Sequence, residues 1–272
     1  MSTIITSGMQ NRFLREINAI ITIAARDVTI TVKSPATLAL TLFMPLMMMG
    51  MLGGSLAQNM AGGLGFDYKQ FMMVGMMVNM LFMTVTMGIT SITQDRITDF
   101  TQEMMVSPIS RYSILLGKIA GASAGAILQL SGTIVVALLM GIHFSIWQLL
   151  SFLAISPLLC LAAGAFGVLI VAFVKTPNAA NIIVMLIVMP QMFLSGAIIP
   201  INHSSGVLFV LSRAMPMTYC LDLARSVFYA GTPDYSNVVL FNPAICVMGI
   251  VTLSVFFLVF GTFFFARSET NR

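Results

Sequence analysis

The sequence predicts an all-α membrane protein with six transmembrane helices, and three observations carry that reading. Hydrophobic residues make up 58% of the 272-residue chain and charged residues 8%. Soluble domains are about half apolar and a quarter charged, so a water-soluble fold with this composition would expose large apolar patches. Six apolar segments reach the roughly 20 residues that a spanning helix needs, at 36–57, 70–92, 114–141, 148–174, 179–199 and 243–266. They are too long and uninterrupted for transmembrane β-strands, which need only about 10 alternating residues. The third observation is that the basic residues fall mainly on one side of these segments.

Residues 1–10 are polar, with no positive region leading into an apolar one, so no cleavable signal is expected. Residues 11–33 mix Arg12, Arg15, Glu16, Arg26, Asp27 and Lys33 with Phe13, Ile17, Ile20, Ile21 and Ala24 at three- and four-residue spacing. That pattern gives a helix with one apolar and one charged face, expected to lie in the membrane interface. Pro35 suits the first turn of the next helix.

Between the second and third spans, residues 93–113 form a polar island. The run from Asp95 to Lys118 holds Asp95, Arg96, Asp99, Glu103, Arg111 and Lys118 in an otherwise charge-poor chain. Positive charge alone would set topology, so the three acidic residues call for another role. A short element bearing both signs suits docking to a soluble partner. Gly117, Gly121 and Gly125 open the third span with small residues four apart, a face for close helix packing inside the bundle or between subunits.

Lys175-Thr176-Pro177-Asn178 breaks the fourth span from the fifth. Inside the fifth, Pro190 removes one backbone hydrogen bond and predicts a kink, with Gly196 and Pro200 closing the helix. Residues 200–242 hold two apolar stretches too short to span, separated by Met215-Pro216. A re-entrant helical pair is favoured over a surface loop, since backbone at membrane depth must be helical or buried in protein. Within it, Arg213, Asp222 and Arg225 are expected to pair with one another or meet lipid headgroups; Asp222 and Arg225 are three apart on one helix face.

Lysine and arginine placement sets orientation. On one side lie Arg12, Arg15, Arg26, Lys33, Arg96, Arg111, Lys118, Lys175, Arg267 and Arg272, and on the other Lys69, Arg213 and Arg225, so 10 of 13 basic residues share a side. Both termini and the island are therefore expected in the cytoplasm, and the protein in the plasma membrane.

No chemistry of an enzyme is evident. Gly117-Lys118 is followed by Ile119, with Tyr112 where a phosphate-binding loop would have its first glycine. The two histidines and three cysteines form no metal-ligand spacing, and Cys160, Cys220 and Cys246 read as buried thiols. The 24 methionines serve as adaptable apolar filler more readily than as copper ligands. No charged residue is expected deep in the six spans; Lys118 and His143 lie near their ends. A proton relay of the kind ion-coupled transporters carry is thus disfavoured.

Three elements together resemble the membrane subunit of type 2 ABC exporters, the daunorubicin-resistance and nodulation-permease relatives. They are Ser107-Pro108-Ile109-Ser110-Arg111 followed by Ile114-Leu115-Leu116-Gly117-Lys118, then Phe193 to Pro200 (FLSGAIIP), and Met215-Pro216-Met217-Thr218-Tyr219 with Asp222 and Arg225. Met215 stands where the family has Asn, and Ile97 and Thr101 depart from the usual start of the island. The resemblance covers nearly the whole chain, residues 1–272 forming one transmembrane domain.

It implies an export permease for an amphipathic drug, lipid-like molecule or glycan, with a link to multidrug resistance. Two cytoplasmic ATPase subunits would bind ATP and magnesium, this chain binding no cofactor, and a second permease copy or homologue would complete the complex, with no nucleic acid involved. Asp95, Arg96, Asp99, Glu103, Ser107, Pro108 and Arg111 would form the ATPase-coupling region. Ser195, Gly196, Pro200, Pro216, Asp222 and Arg225 would belong to the external gate. An ion-coupled secondary transporter and a non-transporting membrane assembly protein are the competing readings.

Overall fold

The computed structural model describes residues 2–34, 39, 43, 47, 66–97, 110–139, 141–142, 144–174, 176–201 and 205–270. The expected first span, 36–57, apart from positions 39, 43 and 47, and the island positions Asp99, Glu103, Ser107 and Pro108 lie outside them. Among the described residues every regular element is helical. In chain order these are α1 (Ser2–Val32), α2 (Tyr68–Ile97), α3 (Arg111–Leu139), α4 (Ile146–Phe173), α5 (Pro177–Leu194), α6 (Gly206–Ala214), α7 (Pro216–Phe228), α8 (Tyr235–Val238) and α9 (Pro243–Thr270).

Among the described residues five stretches are long and apolar enough to cross a membrane: Tyr68–Asp95, Tyr112–Leu139, Ile146–Phe173, Pro177–Leu194 and Tyr235–Phe264. They answer to the expected second to sixth spans, and the chain is a multi-pass membrane protein. α2 is the bundle's centre, with an unbroken buried run from Phe71 to Asn79, while α5 and the stretch through α9 turn most of their surface outward. Methionines Met72, Met73, Met76 and Met77 fill this centre beside Phe71 and Phe82, as flexible thioethers suited to irregular gaps. α4 lies between α2 and α9. Gly167 meets Ile89 of α2, and Gly261 of α9 meets Val168, so each contact is set by a missing side chain.

The fifth span is shorter than hydropathy predicts. α5 starts at Pro177, with the Thr176 hydroxyl capping the Ala179 amide, and it passes through Pro190 but stops at Leu194. Gly196 then takes φ +83°, a left-handed conformation that a glycine adopts without a Cβ penalty. Residues 195–201 fold back as a strap, with Ala197 and Ile198 buried.

The segment after the strap forms two short helices. α6 and α7 meet at Met215 with an 81° bend, Pro216 supplying the first residue of α7. α6 exposes Val207, Leu208, Phe209, Val210 and Leu211, whereas α7 is enclosed by α2, α4 and α9. Tyr219 and Thr218 of α7 donate hydroxyls to the Arg213 and Ser212 carbonyls, which sets the corner.

Candidate functional site

The sequence runs α1 as a helix with charged and apolar positions, and the structure resolves these into three faces. Ile20, Ile23, Ala24, Asp27 and Thr31 turn to α3, where Gly117 meets Ile20 and Ile23, Gly121 meets Ala24 and Asp27, and Gly125 meets Thr31. Partners rise together along both chains, so α1 and α3 run in the same direction, side by side for several turns. The glycine face is thus occupied from within the chain. A helix lying flat across a span would touch it at one turn, so this alignment departs from the expected in-plane position. Leu14, Ile17, Ile21, Ala25 and Val32 form an exposed apolar stripe, and Arg15, Asn18, Thr22, Thr29 and Lys33 an exposed polar one.

Along this seam, four ionic side chains from three helices meet. Lys118 of α3 is 1% exposed, with its ammonium 3.0 Å from Asp27 Oδ2 on α1 and 2.6 Å from Asp95 Oδ2 on α2. It also donates to Ser91 Oγ at 3.2 Å, so its three N–H bonds all find oxygen. Arg26, at the rim, reaches Asp95 Oδ1 at 3.1 Å and Asp27 Oδ1 at 3.5 Å. Two cations against two carboxylates leave the cluster neutral, the condition under which buried charges are tolerated. The cluster lines a cavity of about 260 Å³ with Ser91 and Gln94, and Gly88 and Gly121 also line it.

Asp95 and Lys118 are the two ends of the expected island. Their ion pair closes its base, although residues 96–117 separate them in sequence. The far end is tied as well: both carboxylate oxygens of Glu16 accept the Ser110 amide, at 3.0 and 3.1 Å, just before α3 begins. The negative charge there is favoured by the helix N-terminus. Ser110 Oγ in turn caps the Ser113 amide at 3.1 Å. Of the expected coupling residues, Asp95 is in this cluster, Arg96 lies in the last turn of α2 and Arg111 opens α3.

Glu16, Arg26 and Asp27 were not singled out from sequence as site residues. Their charges are visible there, but only the fold shows which of them turn inward. Asp27 sits three turns on from Glu16 along the α3-facing side, and that spacing was the available signal. Lys118 and Asp95 are more deeply buried than hydropathy predicts, because α1 covers the ends of two spans.

A second polar group lies at the opposite end of the bundle. Asp222, expected to pair with Arg225 or Arg213, instead accepts the Leu240 and Phe241 amides at 2.8 and 2.7 Å and the Cys246 thiol at 3.5 Å. Two short charge-assisted bonds to backbone hold its oxygens where the chain enters α9. Arg225 donates to the Gly196 carbonyl at 2.7 Å and lies over the Phe71 ring, 3.7 Å from its centroid. Arg213 stacks 3.5 Å above Phe209. The corrected picture is therefore three residues with three separate partners. Tyr68 Oη donates to the Ile198 carbonyl at 2.9 Å, a second bond that holds the strap. Of the expected gate residues, Ser195, Gly196 and Pro200 lie in the strap, and Pro216, Asp222 and Arg225 in α7, which the Arg225–Gly196 bond joins. Cys160, Cys220 and Cys246 are buried and free.

A family model described as ABC-2 type transporter matches residues 18–229. That range takes in the charged cluster, the strap and α7. Nodulation protein J of Neorhizobium galegae is 24% identical over 197 residues, covering 71% of this chain and 74% of that protein. Nodulation protein J of Rhizobium meliloti (strain 1021) is 30% identical over 121 residues, covering 44% of this chain and 45% of that protein. The Rhizobium leguminosarum bv. trifolii protein of the same name is 28% identical over 127 residues, covering 46% and 48% respectively. The chain thus spans under half the length of these last two relatives. Family proteins normally pair with ATP-binding subunits. The chain belongs to the ABC-2 type transporter family as a membrane component.

Proposed function

We propose that this chain is the permease subunit of an ATP-driven exporter in the plasma membrane, with ATP and magnesium bound by a separate cytoplasmic subunit. The observation that carries the reading is the ion pair at the base of the island. A surface meant to receive force must deliver it to the spans, and the Asp95–Lys118 contact joins the island's two feet to α2, α3 and α1 at one point. Docking at residues 98–109 then moves three helices as one body. The complex holds two ATPase subunits and a second permease copy, and both termini face the cytoplasm. α1 leans along α3 in the inner leaflet, its apolar stripe toward lipid and its polar stripe toward headgroups and the ATPase. The bent pair α6–α7 dips into the outer leaflet beneath the gate. The cargo is amphipathic: a drug, a lipid-like molecule or a glycan.

The test is a double variant, Glu103→Ala with Arg111→Ala, in the complex with its ATPase. Permease-stimulated ATP hydrolysis and co-purification of the ATPase should fall several-fold, while membrane insertion and the thermal midpoint of the permease stay unchanged. Full stimulation in that variant would remove the island from the coupling path. Gradient-driven uptake by the purified chain alone in liposomes would overturn the exporter reading itself.

A further inference from the structure

Beneath the strap at 195–201 lies a buried cation. Arg225 is 1% exposed. Of its five donors one serves the Gly196 carbonyl, and Nε has no hydrogen-bond partner. Among the described residues no carboxylate stands within ion-pair distance of it. Asp222, one turn earlier on α7, acts on it only through space, because the Leu240 and Phe241 amides hold both of its oxygens. A buried guanidinium in this state is costly, since buried charges are ordinarily paired and fully hydrogen-bonded.

Among the described residues two more buried groups at this end lack partners. The Tyr229 hydroxyl is one, and its residue follows Arg225 by a helical turn, its amide donating to the Arg225 carbonyl at 2.9 Å. The other is the Gln191 side chain, whose amide nitrogen and oxygen are both unpartnered. The Gln191 carbonyl accepts the Ser195 amide at 2.8 Å, so this residue sits at the root of the strap. Leucine or phenylalanine at these places would avoid burying a polar group without a partner. Three unmet polar groups thus stand at this end of the bundle, on α5, on α7 and at the residue that ends α7.

We propose that Arg225, with Tyr229 and Gln191, is an anion-binding site that takes the phosphate or carboxylate group of an amphiphile when the strap lifts. In the closed state the Gly196 carbonyl oxygen stands where an anion's oxygen would bind. An arriving phosphate competes with that carbonyl for the guanidinium and forms the stronger, charge-assisted bonds. Binding and strap release are then one event. The other ties of the strap are neutral, among them the Tyr68–Ile198 bond, the Ser195 and Ala197 amides on the Gln191 and Met192 carbonyls, and the packing of the Ala197 carbonyl against Gly75, where a Cβ would collide. The same oxygens come either from cargo in transit, which rests on the exporter reading above, or from an outer-leaflet lipid headgroup.

The experiment uses the full chain in a neutral maltoside detergent, with thermal unfolding as the readout and dodecyl phosphate as the probe. Dodecyl phosphate should raise the midpoint of the natural protein. Its apparent affinity should be about ten- to a hundredfold weaker in Arg225→Met, and partly retained in Arg225→Lys. In phosphatidylcholine nanodiscs, a rise on adding phosphatidylglycerol assigns the site to lipid; a rise with dodecyl phosphate alone assigns it to a cargo-like amphiphile. No rise in either setting, or an equal rise in Arg225→Met, overturns the proposal. Tyr229→Phe and Gln191→Leu give an independent check should Arg225→Met not purify. Each should leave the unliganded midpoint level or higher and reduce the probe-induced rise; an undiminished rise in both overturns the site. No ATP or partner subunit is present in either arm, so failure of the coupling reading and failure of this site are separate results.

Discussion

Lys118 shows how far a single residue could be read in advance. Its place at the end of a span was plain from the sequence, and so was its opposite number Asp95 across the island. Asp27 was not, because its partner lies 91 residues away and helix contact decides the pairing. Lys118→Met should be destabilising by about 3–5 kcal/mol, the range for a buried ion pair that loses one member, since Asp27 and Asp95 would then face each other unneutralised. Thermal unfolding in detergent measures this, and adding Asp27→Asn and Asp95→Asn to the same variant should recover most of the loss. Asp222 makes the complementary point. Spacing on a helix predicted a pair with Arg225, but two backbone amides with no other acceptor outcompeted it. Asp222→Ala should therefore cost about 1–3 kcal/mol by leaving those amides bare, and hydrogen exchange at Leu240 and Phe241 should rise in step.

At the scale of elements, hydropathy placed the ends of α2, α3, α4 and α9 within a few residues, since the length of a span is dictated by the bilayer. It overran α5, where apolar character continues through Ile198 and Ile199 while Gly196 has already turned the chain. Composition cannot see a positive φ. The glycine face of α3 was legible too, but its occupant was not: any helix with small or short residues at matching spacing would fit. Gly121→Leu tests the occupant found here. The new side chain would meet Asp27 and Ala24, costing about 1–3 kcal/mol by overpacking. It should also raise protease sensitivity between α1 and the rest of the chain, whereas the exposed Leu128→Ala on the same helix should do neither.

For the whole molecule, two polar knots sit at opposite ends of an apolar bundle. The charged cluster gathers α1, α2 and α3, while the strap and α7 gather α2, α5 and α9. α2 belongs to both, and its buried methionine-rich centre connects them. Class and the second to sixth spans were readable because they follow from composition and the length of apolar runs. The knots were not, because each is built by residues from distant parts of the chain whose charges have several possible partners. If α2 transmits between the ends, a variant at one should be felt at the other. In the proposed complex with an ATPase, Gly75→Val, which forces the strap away from α2, should change permease-stimulated ATP hydrolysis by twofold or more even though it touches no residue of the charged cluster. Unchanged hydrolysis would show the two ends to be independent.

The ion pair between Asp95 and Lys118 has one more consequence, and it concerns how such a protein changes over generations. Because the contact shuts the island's base, whatever lies between is a cassette: its two attachment points are fixed by the membrane part, not by its own sequence. Substitutions among residues 98–109 are therefore insulated from folding, and partner choice is free to drift without endangering the bundle. Grafting the corresponding segment of a nodulation protein J relative into this chain should leave expression and unfolding midpoint intact. A graft that unfolds the bundle would show that the base does not insulate.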